Sequence, residues 1–382
     1  MAGRKRTRVR PVDANDRWRH PAQPSVFWEA ANATDPAKLH ARVRGDWWDL
    51  LRDLRVTLVV SREYEHFLLA MNASAAPRTS FFPLPHPSGV AVAPDGGAVW
   101  VASTRNPNQV FDFVPAAESV SDDRPLLPRS ARFYPGSLYL HDLAFVGSRL
   151  HANAVGRNAV VRLDDDGSSE SVWWPRVIDA PAGPRFDANY LQLNSIAAGR
   201  TLRDSFFTAT TDRIGSGRRI GHRDFPVDGR GVVFSGRTRE PVARGLTRPH
   251  SARLHSEEIW LANSGYGEVG TIGSGRFDAV VRLPGWTRGL AFVGDVALAG
   301  TSRVLPRFHG YAPGLDPSRC VCGVHAIDTK SGNVIGSVIW PEGDQIFAVE
   351  TVENDVTKGF PFQSGRRSAE RERMMFFSAP DA

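Results

Sequence analysis

The segment Ser88-Gly-Val-Ala-Val92 begins a repeat that decides the fold, because five further segments share its pattern of a polar first residue followed by small and apolar residues. The other five are His141-Asp-Leu-Ala-Phe145, Asn194-Ser-Ile-Ala-Ala198, His250-Ser-Ala-Arg-Leu254, Arg288-Gly-Leu-Ala-Phe292 and Gln345-Ile-Phe-Ala-Val349. Successive segments start 38 to 57 residues apart, which leaves room for one four-stranded blade each time. The repeat therefore predicts an all-β chain folded as a six-bladed β-propeller, with each segment as the inner strand of a blade.

The two ends of the chain are predicted to close the ring together. A second apolar strand follows each of the first five segments, at residues 99–102, 149–152, 206–209, 259–262 and 296–299. Too little chain follows the sixth segment to complete a blade. Three strand-like segments near the amino end match the missing strands: Val56–Val60, Glu65–Ala70 and Ser80–Leu84. We therefore expect the amino-terminal strands to pair with the carboxy-terminal strand, which removes exposed sheet edges.

Outside the propeller, which is predicted over residues 55–357, the chain divides into three segments. Residues 35–54 have helical spacing, with Asp35 as the N-cap, and predict a short helix packed on the propeller. Residues 1–34 and 358–382 are predicted to be disordered tails, and the first of them is strongly basic.

Charge, cysteine content and missing fingerprints narrow the function classes. The formal net charge of the 382 residues is +6, and arginine clusters near the two ends supply much of it, so nucleic-acid binding is not favoured. Cys320 and Cys322 are the only cysteines and stand two residues apart, so no disulfide framework is expected. Neither a signal peptide nor a membrane span is recognisable, and we expect a cytoplasmic protein. The dinucleotide and P-loop fingerprints do not occur, so no nucleotide cofactor is expected.

Polar residues converge at one mouth of the predicted channel. In antiparallel strands the start of one lies beside the end of the next, so the polar starts of the inner strands and the polar ends of the second strands share one face of the ring. We expect a small molecule or a peptide to bind there. The candidate ligand-binding residues are Arg105, Asn153, Asn194, Asn263, Arg303 and Gln345.

Three histidines at this mouth predict a metal site. His141 and His250 hold the same repeat position two blades apart, and His86 stands just before the first blade. Three imidazoles that meet at an axis can hold zinc, copper or iron and leave one position for water or substrate. The alternative is that these histidines only form hydrogen bonds in a wet channel.

Arg288 begins the fifth inner strand at the same mouth and is a candidate catalytic residue that holds an anion. Three more arginines are expected nearby, namely Arg105, Arg248 and Arg303. A guanidinium group binds a carboxylate or a phosphate through two parallel hydrogen bonds. Pairing of these arginines with acidic side chains of the protein is the alternative. Asp142 and Tyr266 are the candidate acid–base groups.

Several stretches of the chain are similar to one known family. They are Ser61–His66, His86–Gly89, Ala102–Gln109, Asn194–Ala198, Phe225–Gly231, Arg248–Ser251, Asn263–Gly267 and Trp286–Gly289. In these the chain resembles a bacterial family of conserved hypothetical proteins that carry a domain of unknown function. The resemblance runs from about Trp47 to Val352 and implies a propeller-like domain, but it implies no particular activity.

Together these features favour a metal-dependent enzyme, either a lyase, a hydrolase or an oxidoreductase, that acts on a small anionic or peptide-like substrate at the channel mouth. The alternative is a non-catalytic propeller module that binds a protein or a glycan through the same polar mouth.

Overall fold

Six antiparallel β-sheets form the ring in this computed structural model, which describes residues 23–104, 108–117, 123–214 and 226–363. The innermost strands of neighbouring sheets contact one another around a central channel. This arrangement confirms the six-bladed β-propeller that the repeat spacing predicts.

The strands follow the blade order of the sequence repeat. Blade 1 comprises β5 (Pro87–Val92), β6 (Val99–Ser103), β7 (Asn108–Pro115) and β8 (Leu126–Tyr134). Blade 2 comprises β9 (Leu140–Val146), β10 (Arg149–Ala154), β11 (Ala159–Leu163) and β12 (Ser169–Trp173). Blade 3 comprises β13 (Leu193–Ala197), β14 (Phe206–Ala209), β15 (Gly231–Ser235) and β16 (Pro241–Leu246).

Blades 4 to 6 complete the ring. Blade 4 comprises β17 (Pro249–His255), β18 (Glu258–Asn263), β19 (Glu268–Gly273) and β20 (Arg276–Arg282). Blade 5 comprises β21 (Trp286–Val293), β22 (Val296–Ser302), β23 (Gly323–Asp328) and β24 (Val334–Ile339), and β1 (Arg42–Gly45) adds a fifth strand at its outer edge. Blade 6 comprises β25 (Ala348–Glu353), β2 (Val56–Arg62), β3 (Phe67–Asn72) and β4 (Arg78–Pro83).

Closure of the ring depends on one strand pair from opposite ends of the chain. β2 pairs with β25 in antiparallel register, with Val56 opposite Glu353 and Ser61 opposite Ala348. The predicted closure is confirmed, and blade 6 contains one carboxy-terminal strand and three amino-terminal strands.

The amino-terminal segment differs from its prediction. The single helix expected over residues 35–54 is instead two short helices, α2 (Pro36–Leu39) and α3 (Trp47–Asp53), separated by β1. Asp35 does cap α2, since its carboxylate accepts a hydrogen bond from the backbone of Ala37 (2.9 Å). The helix is interrupted because residues 42–45 satisfy their backbone groups by pairing with the open edge of β24.

The predicted tails are also shorter than expected within the described residues. Residues Gln23–Ala33 form a helix, α1, and its Phe27 ring lies 4.7 Å from the ring of Phe82. At the other end, Phe360 is fully buried among the aromatic residues of blades 6 and 1. Apolar burial therefore draws these segments onto the propeller. Residues 1–22 and 364–382, the remainder of both predicted tails, lie outside the described residues.

Neighbouring inner strands are joined by side chains at one repeated position. Ser195 Oγ accepts a hydrogen bond from the backbone of Ala252 in the next blade (2.8 Å). Ser251 Oγ does the same for Gly289 (2.8 Å). At the equivalent Gly89 the blades come closer, since an added Cβ would lie 2.5 Å from a backbone nitrogen of blade 2. Each inner strand is thereby held at a fixed height in the channel.

No helix of the described residues is long and apolar enough to cross a membrane.

Candidate functional site

The inner strands present two rings of side chains at one mouth of the channel. Strand pairing in blades 1 to 5 breaks register near the start of the inner strand, and this bulge aligns those five blades. Blade 6 has no such break, and Gln345 and Phe347 take the corresponding positions because both line the same cavity. We call the residues that precede the bulge the outer ring: His86, Tyr139, Gln192, Arg248, Trp286 and Gln345. Two positions further along each chain lies the inner ring: Ser88, His141, Asn194, His250, Arg288 and Phe347. All of these side chains except His86, Ser88 and Asn194 line the cavity at the channel mouth.

Four consecutive outer-ring residues share an unusual backbone conformation. His86, Tyr139, Gln192 and Arg248 have φ values of 43°, 54°, 51° and 54°. Side chains other than glycine rarely adopt this left-handed region, and residues held there are concentrated at functional sites. The repeated strain indicates that the outer ring is built to present side chains and not merely to connect strands.

The sixth repeat is aligned two residues differently from the sequence prediction. Gln345 was expected at the start of the sixth inner strand, but β25 begins at Ala348, and Phe347 holds the position of His141 and His250. The polar-first pattern misled the alignment, because the sixth inner-ring residue is apolar. Gln345 belongs to the outer ring and still lines the site.

Nine residues of the two rings line one cavity of about 90 Å³. The other six lining residues come from loops around the mouth: Glu63, Tyr64, Arg303, Val304, Phe308 and Tyr311. Room for a water molecule in a liquid is roughly 30 Å³, so the cavity has space for a small ligand and no more.

His250 is held as a neutral imidazole with one nitrogen available. Its Nδ1 lies 2.8 Å from the backbone oxygen of Arg248 and 2.9 Å from Ser264 Oγ. A carbonyl oxygen only accepts hydrogen bonds, so we assign the proton to Nδ1. Nε2 then carries the lone pair and has no hydrogen-bond partner among the described residues. A nitrogen of this kind can accept a proton from a ligand.

His141 differs from His250 because its lone pair is already engaged. Nη2 of Arg288 lies 3.0 Å from His141 Nε2 and donates to it, while Nδ1 faces the backbone oxygen of Asn194 at 3.4 Å. Burial, and after it the charge of Arg288, hold the pKa of both His141 and His250 well below the usual range. Both imidazoles are therefore neutral near pH 7.

Arg248 and Arg288 are the principal charges of the cavity. Their exposed fractions are 2% and 6%, and neither forms an ion pair within the part of the chain that the structure describes. The guanidinium carbon of Arg288 lies 3.2 Å from the ring centre of Phe347, and that of Arg248 lies 3.8 Å from the ring centre of Tyr311. These rings cover guanidinium faces and leave edges for hydrogen bonds. Burial lowers the pKa of each arginine to about 10, so both stay cationic at neutral pH.

Three buried polar atoms on outer-ring residues that line the cavity have no hydrogen-bond partner among the described residues. They are Arg248 Nε, Trp286 Nε1 and Gln345 Oε1, which come from blades 4, 5 and 6 in succession. An unpartnered buried polar atom costs about 1–3 kcal/mol. Three of them beside one cavity indicate that a ligand or bound water completes this side of the site.

The three histidines of the predicted metal site do not line one cavity. His86 lies against His66, with ring centres 4.3 Å apart, and it does not line the cavity that contains His141 and His250. Within the described residues, no group of three or more His, Cys, Asp or Glu side chains is arranged to hold a metal. The residues present do not fit a zinc, copper or ferrous ion, because buried Arg288 donates to one imidazole and would repel a cation.

Asp142 lies deeper in the channel and forms a separate group of charges. Its Oδ2 is 3.1 Å from Arg253 Nη1, and Arg253 Nη2 is 3.0 Å from Glu350 Oε1. Asp142 also accepts a hydrogen bond from the backbone of Ile196 (3.0 Å). We call Asp142, Arg253 and Glu350 the axial charge cluster. These contacts give Asp142 a structural role between blades, while its role as an acid–base group stays a prediction.

The remaining predicted residues are distributed unevenly around the site. Arg303 lines the cavity at its rim, where the side chain is exposed and donates to the backbone of Pro341. Four other predicted site residues do not line the cavity: Asn153, Asn194, Asn263 and Tyr266. Tyr266 instead donates to Asp228 (3.0 Å). Arg105 lies outside the described residues.

Sequence reasoning missed the aromatic half of the site. Tyr139, Trp286, Tyr311 and Phe347 line the cavity, but none stands at a polar position of the repeat, which was the signal used to find the mouth. The outer ring could have been found by reading two residues upstream of each inner-ring position, whereas Tyr311 lies in a loop that carries no repeat.

Comparison with solved structures supports the fold. The nidogen/laminin complex contains a chain that matches with a TM-score of 0.52 and 8% identity, over 78% of this chain and 98% of that chain. A putative gluconolactonase matches with a TM-score of 0.43 and 18% identity, over 67% and 79%. A streptogramin B lyase matches with a TM-score of 0.40 and 15% identity, over 65% and 76%. At 8% identity the similarity to the nidogen/laminin chain shows the fold alone, and we draw nothing from the other two, whose TM-scores lie below 0.5.

No curated protein matches the chain in sequence. A family model does match it, over residues 45–358, which is nearly the whole propeller. This range agrees with the resemblance seen in the sequence, and the chain belongs to the family described as Domain of unknown function (DUF4915).

Proposed function

We propose that the chain is an enzyme that binds a small organic anion in the cavity at the channel mouth. The observation that carries the proposal is the pair of buried arginines, Arg248 and Arg288, which face one cavity without an ion-pair partner among the described residues. A buried charge is costly unless it is compensated. An anionic ligand supplies the compensation and accepts hydrogen bonds from the guanidinium edges.

The histidines supply the chemistry in this proposal. His250 Nε2 takes a proton from the carbon next to the bound carboxylate, the electron pair of that C–H bond passes into the carboxylate to give an enediolate beside Arg248 and Arg288, and return of a proton from the imidazolium restores the anion. The backbone oxygen of Arg248 holds the ring in the required tautomer. His141 keeps Arg288 in place by accepting its hydrogen bond. Glu63, which also lines the cavity, accepts from Thr104 (2.7 Å) and gives the rim one negative charge. No metal takes part in this scheme.

Calorimetric titration of the purified chain with acetate and with inorganic phosphate tests the binding step. We expect one saturable site, with affinity reduced about 10- to 100-fold in Arg288→Gln, since hydrogen bonds to charged groups are worth about 1.5–3 kcal/mol. Arg237→Gln is the matched control, because Arg237 is exposed and pairs with Asp204 on the surface. Equal affinity in all three proteins would refute the anion site.

Proton transfer is tested separately by nuclear magnetic resonance in deuterated water. A panel of small carboxylates is incubated with the protein, and we expect exchange of the proton on the carbon next to the carboxylate. His250→Gln should abolish the exchange and leave binding largely intact. Saturable binding without exchange of any panel member would instead identify a non-catalytic binding module.

A further inference from the structure

Three unpartnered atoms of the outer ring point to the chemical class of the ligand, an inference that rests on the proposed anion site. Arg248, Trp286 and Gln345 belong to successive blades, so they line one continuous side of the cavity. Two of the unpartnered atoms are N–H donors, and the third, Gln345 Oε1, is an acceptor. A simple carboxylate only accepts hydrogen bonds, and it would leave Gln345 Oε1 unsatisfied.

A hydroxyl group meets this requirement because it both donates and accepts. It can accept from the indole N–H of Trp286 and donate to Gln345 Oε1, while a carboxylate on the same molecule lies between the guanidinium groups. The assignment also holds if the oxygen and nitrogen of the Gln345 amide are exchanged, since a hydroxyl can accept a hydrogen bond from an amide N–H.

The size and shape of the cavity limit the rest of the molecule. A dry cavity of about 150 Å³ holds benzene, and this cavity of about 90 Å³ is smaller. The aromatic rings of Tyr311 and Phe347 cover the guanidinium faces, so planar, edge-on contact with a carboxylate is favoured. We propose that the site recognises a small hydroxycarboxylate through Arg248 and Arg288 at its carboxylate and through Trp286 and Gln345 at its hydroxyl.

Matched pairs of ligands test the proposal by calorimetry. Glycolate and acetate differ by one hydroxyl, as do lactate and propionate. In the unmodified chain we expect the hydroxylated member to bind at least about tenfold more tightly. A tenfold ratio corresponds to about 1.4 kcal/mol, which is within the range of the free-energy cost of leaving a buried polar group without a hydrogen bond. In Gln345→Leu and in Trp286→Phe this ratio should fall towards one, whereas in the surface control Arg237→Gln it should keep the value of the unmodified chain.

The outcomes separate this inference from the proposed function. Equal binding of glycolate and acetate, with both weakened by Arg288→Gln, would overturn the hydroxyl assignment and leave the anion site standing. A preference for glycolate that persists in Gln345→Leu and Trp286→Phe would also overturn it. Binding of inorganic phosphate but of no carboxylate would overturn the ligand class. Binding of none of these anions would overturn the inference and the anion site together.

Discussion

Two groups of arginine lie along the same channel, partly buried in the first and fully buried in the second, and they differ in what surrounds them. In the axial charge cluster, Arg253 pairs with two carboxylates from other blades, Asp142 and Glu350. At the mouth, Arg248 and Arg288 face aromatic rings and neutral imidazoles, with no ion pair within the described residues. The first arrangement is complete within the protein, whereas in the proposed function the second is completed by a bound anion. Burial of a charge therefore indicates function only after its partners have been examined.

The pKa values reflect the same difference. Burial acts to lower the pKa of Arg253, but the charges of Asp142 and Glu350 outweigh it and the pKa is raised. At Arg288 burial dominates and lowers the pKa to about 10. The axial charge cluster thus stabilises its cation, and the mouth does not.

The largest expected effect comes from breaking the paired group. Arg253→Met leaves two carboxylates in the channel without their cation and should lower the free energy of unfolding by about 3–5 kcal/mol. Arg288→Met is the matched variant, and it should leave stability unchanged or higher because Arg288 forms no ion pair within the described residues. Denaturation by urea measures both. Equal losses in the two variants would mean that the two groups do not differ as described.

A second experiment makes the mouth resemble the axial charge cluster. Gln192 Oε1 lies 2.5 Å from Arg248 Nη1, so Gln192→Glu should form an internal ion pair at the mouth. We expect anion affinity to fall about 10- to 100-fold, since the new carboxylate competes for the guanidinium and repels the ligand. Calorimetric titration with acetate measures the change. Gln192→Leu adds no charge and must weaken binding less; a larger loss in that variant would contradict the explanation.

The histidines of the mouth predict how stability depends on pH. Because the pKa of His141 and His250 is lowered in the folded state, the unfolded chain binds more protons below about pH 6.5. The contribution of these histidines to the free energy of unfolding is therefore fully present above that pH. It is lost as the pH falls, by about 1 kcal/mol per pH unit for each histidine. Between pH 7 and pH 5, the midpoint temperature of thermal unfolding should fall less steeply with pH in His250→Gln than in the unmodified chain.

Glu350 acts in the opposite direction over part of the same range. Burial raises its pKa to about 7 in the folded protein. Its contribution to the free energy of unfolding is therefore fully present below the pKa that it has in the unfolded chain, and is lost as the pH rises through about 7. It is present in both proteins of the pH experiment, and the difference in slope reports the histidine alone. Identical slopes would contradict the assignment of a neutral His250.

The smallest expected effect concerns the joints between blades, which the two groups of arginine share. Ser195→Ala removes the acceptor for the backbone N–H of Ala252 and should cost about 1 kcal/mol of unfolding free energy. Anion affinity should stay within about twofold, because Ser195 does not line the cavity. A loss of affinity much greater than the loss of stability would show that the joints also control the mouth.

The fold was largely predictable from the sequence because blades repeat and repetition is visible in a single chain. The spacing of the inner strands and the placement of Val56–Val60 in the last blade are both confirmed. The helix over residues 35–54 was not predictable in its details. Local spacing there favours a helix, but the open edge of β24 captures residues 42–45 as a strand.

The site was predictable only in part. His141, His250 and Arg288 do meet at the mouth because they hold the same repeat position. Asn153 and Asn263 were chosen from the polar ends of second strands, and they do not line the cavity. The sequence could not distinguish Arg288 from Arg253, since pairing across blades depends on the depth of each side chain in the channel.

Pairing of β2 with β25 also has a consequence for the time at which the protein can fold. Val56 is made almost three hundred residues before Glu353, so β2 waits for its partner while the five intervening blades are made. Contacts of such long range form slowly, and the unpaired edge of β2 is open to other chains during that interval. The growing chain therefore remains an open arc until β25 is made, and that strand turns the arc into a molecule with a channel.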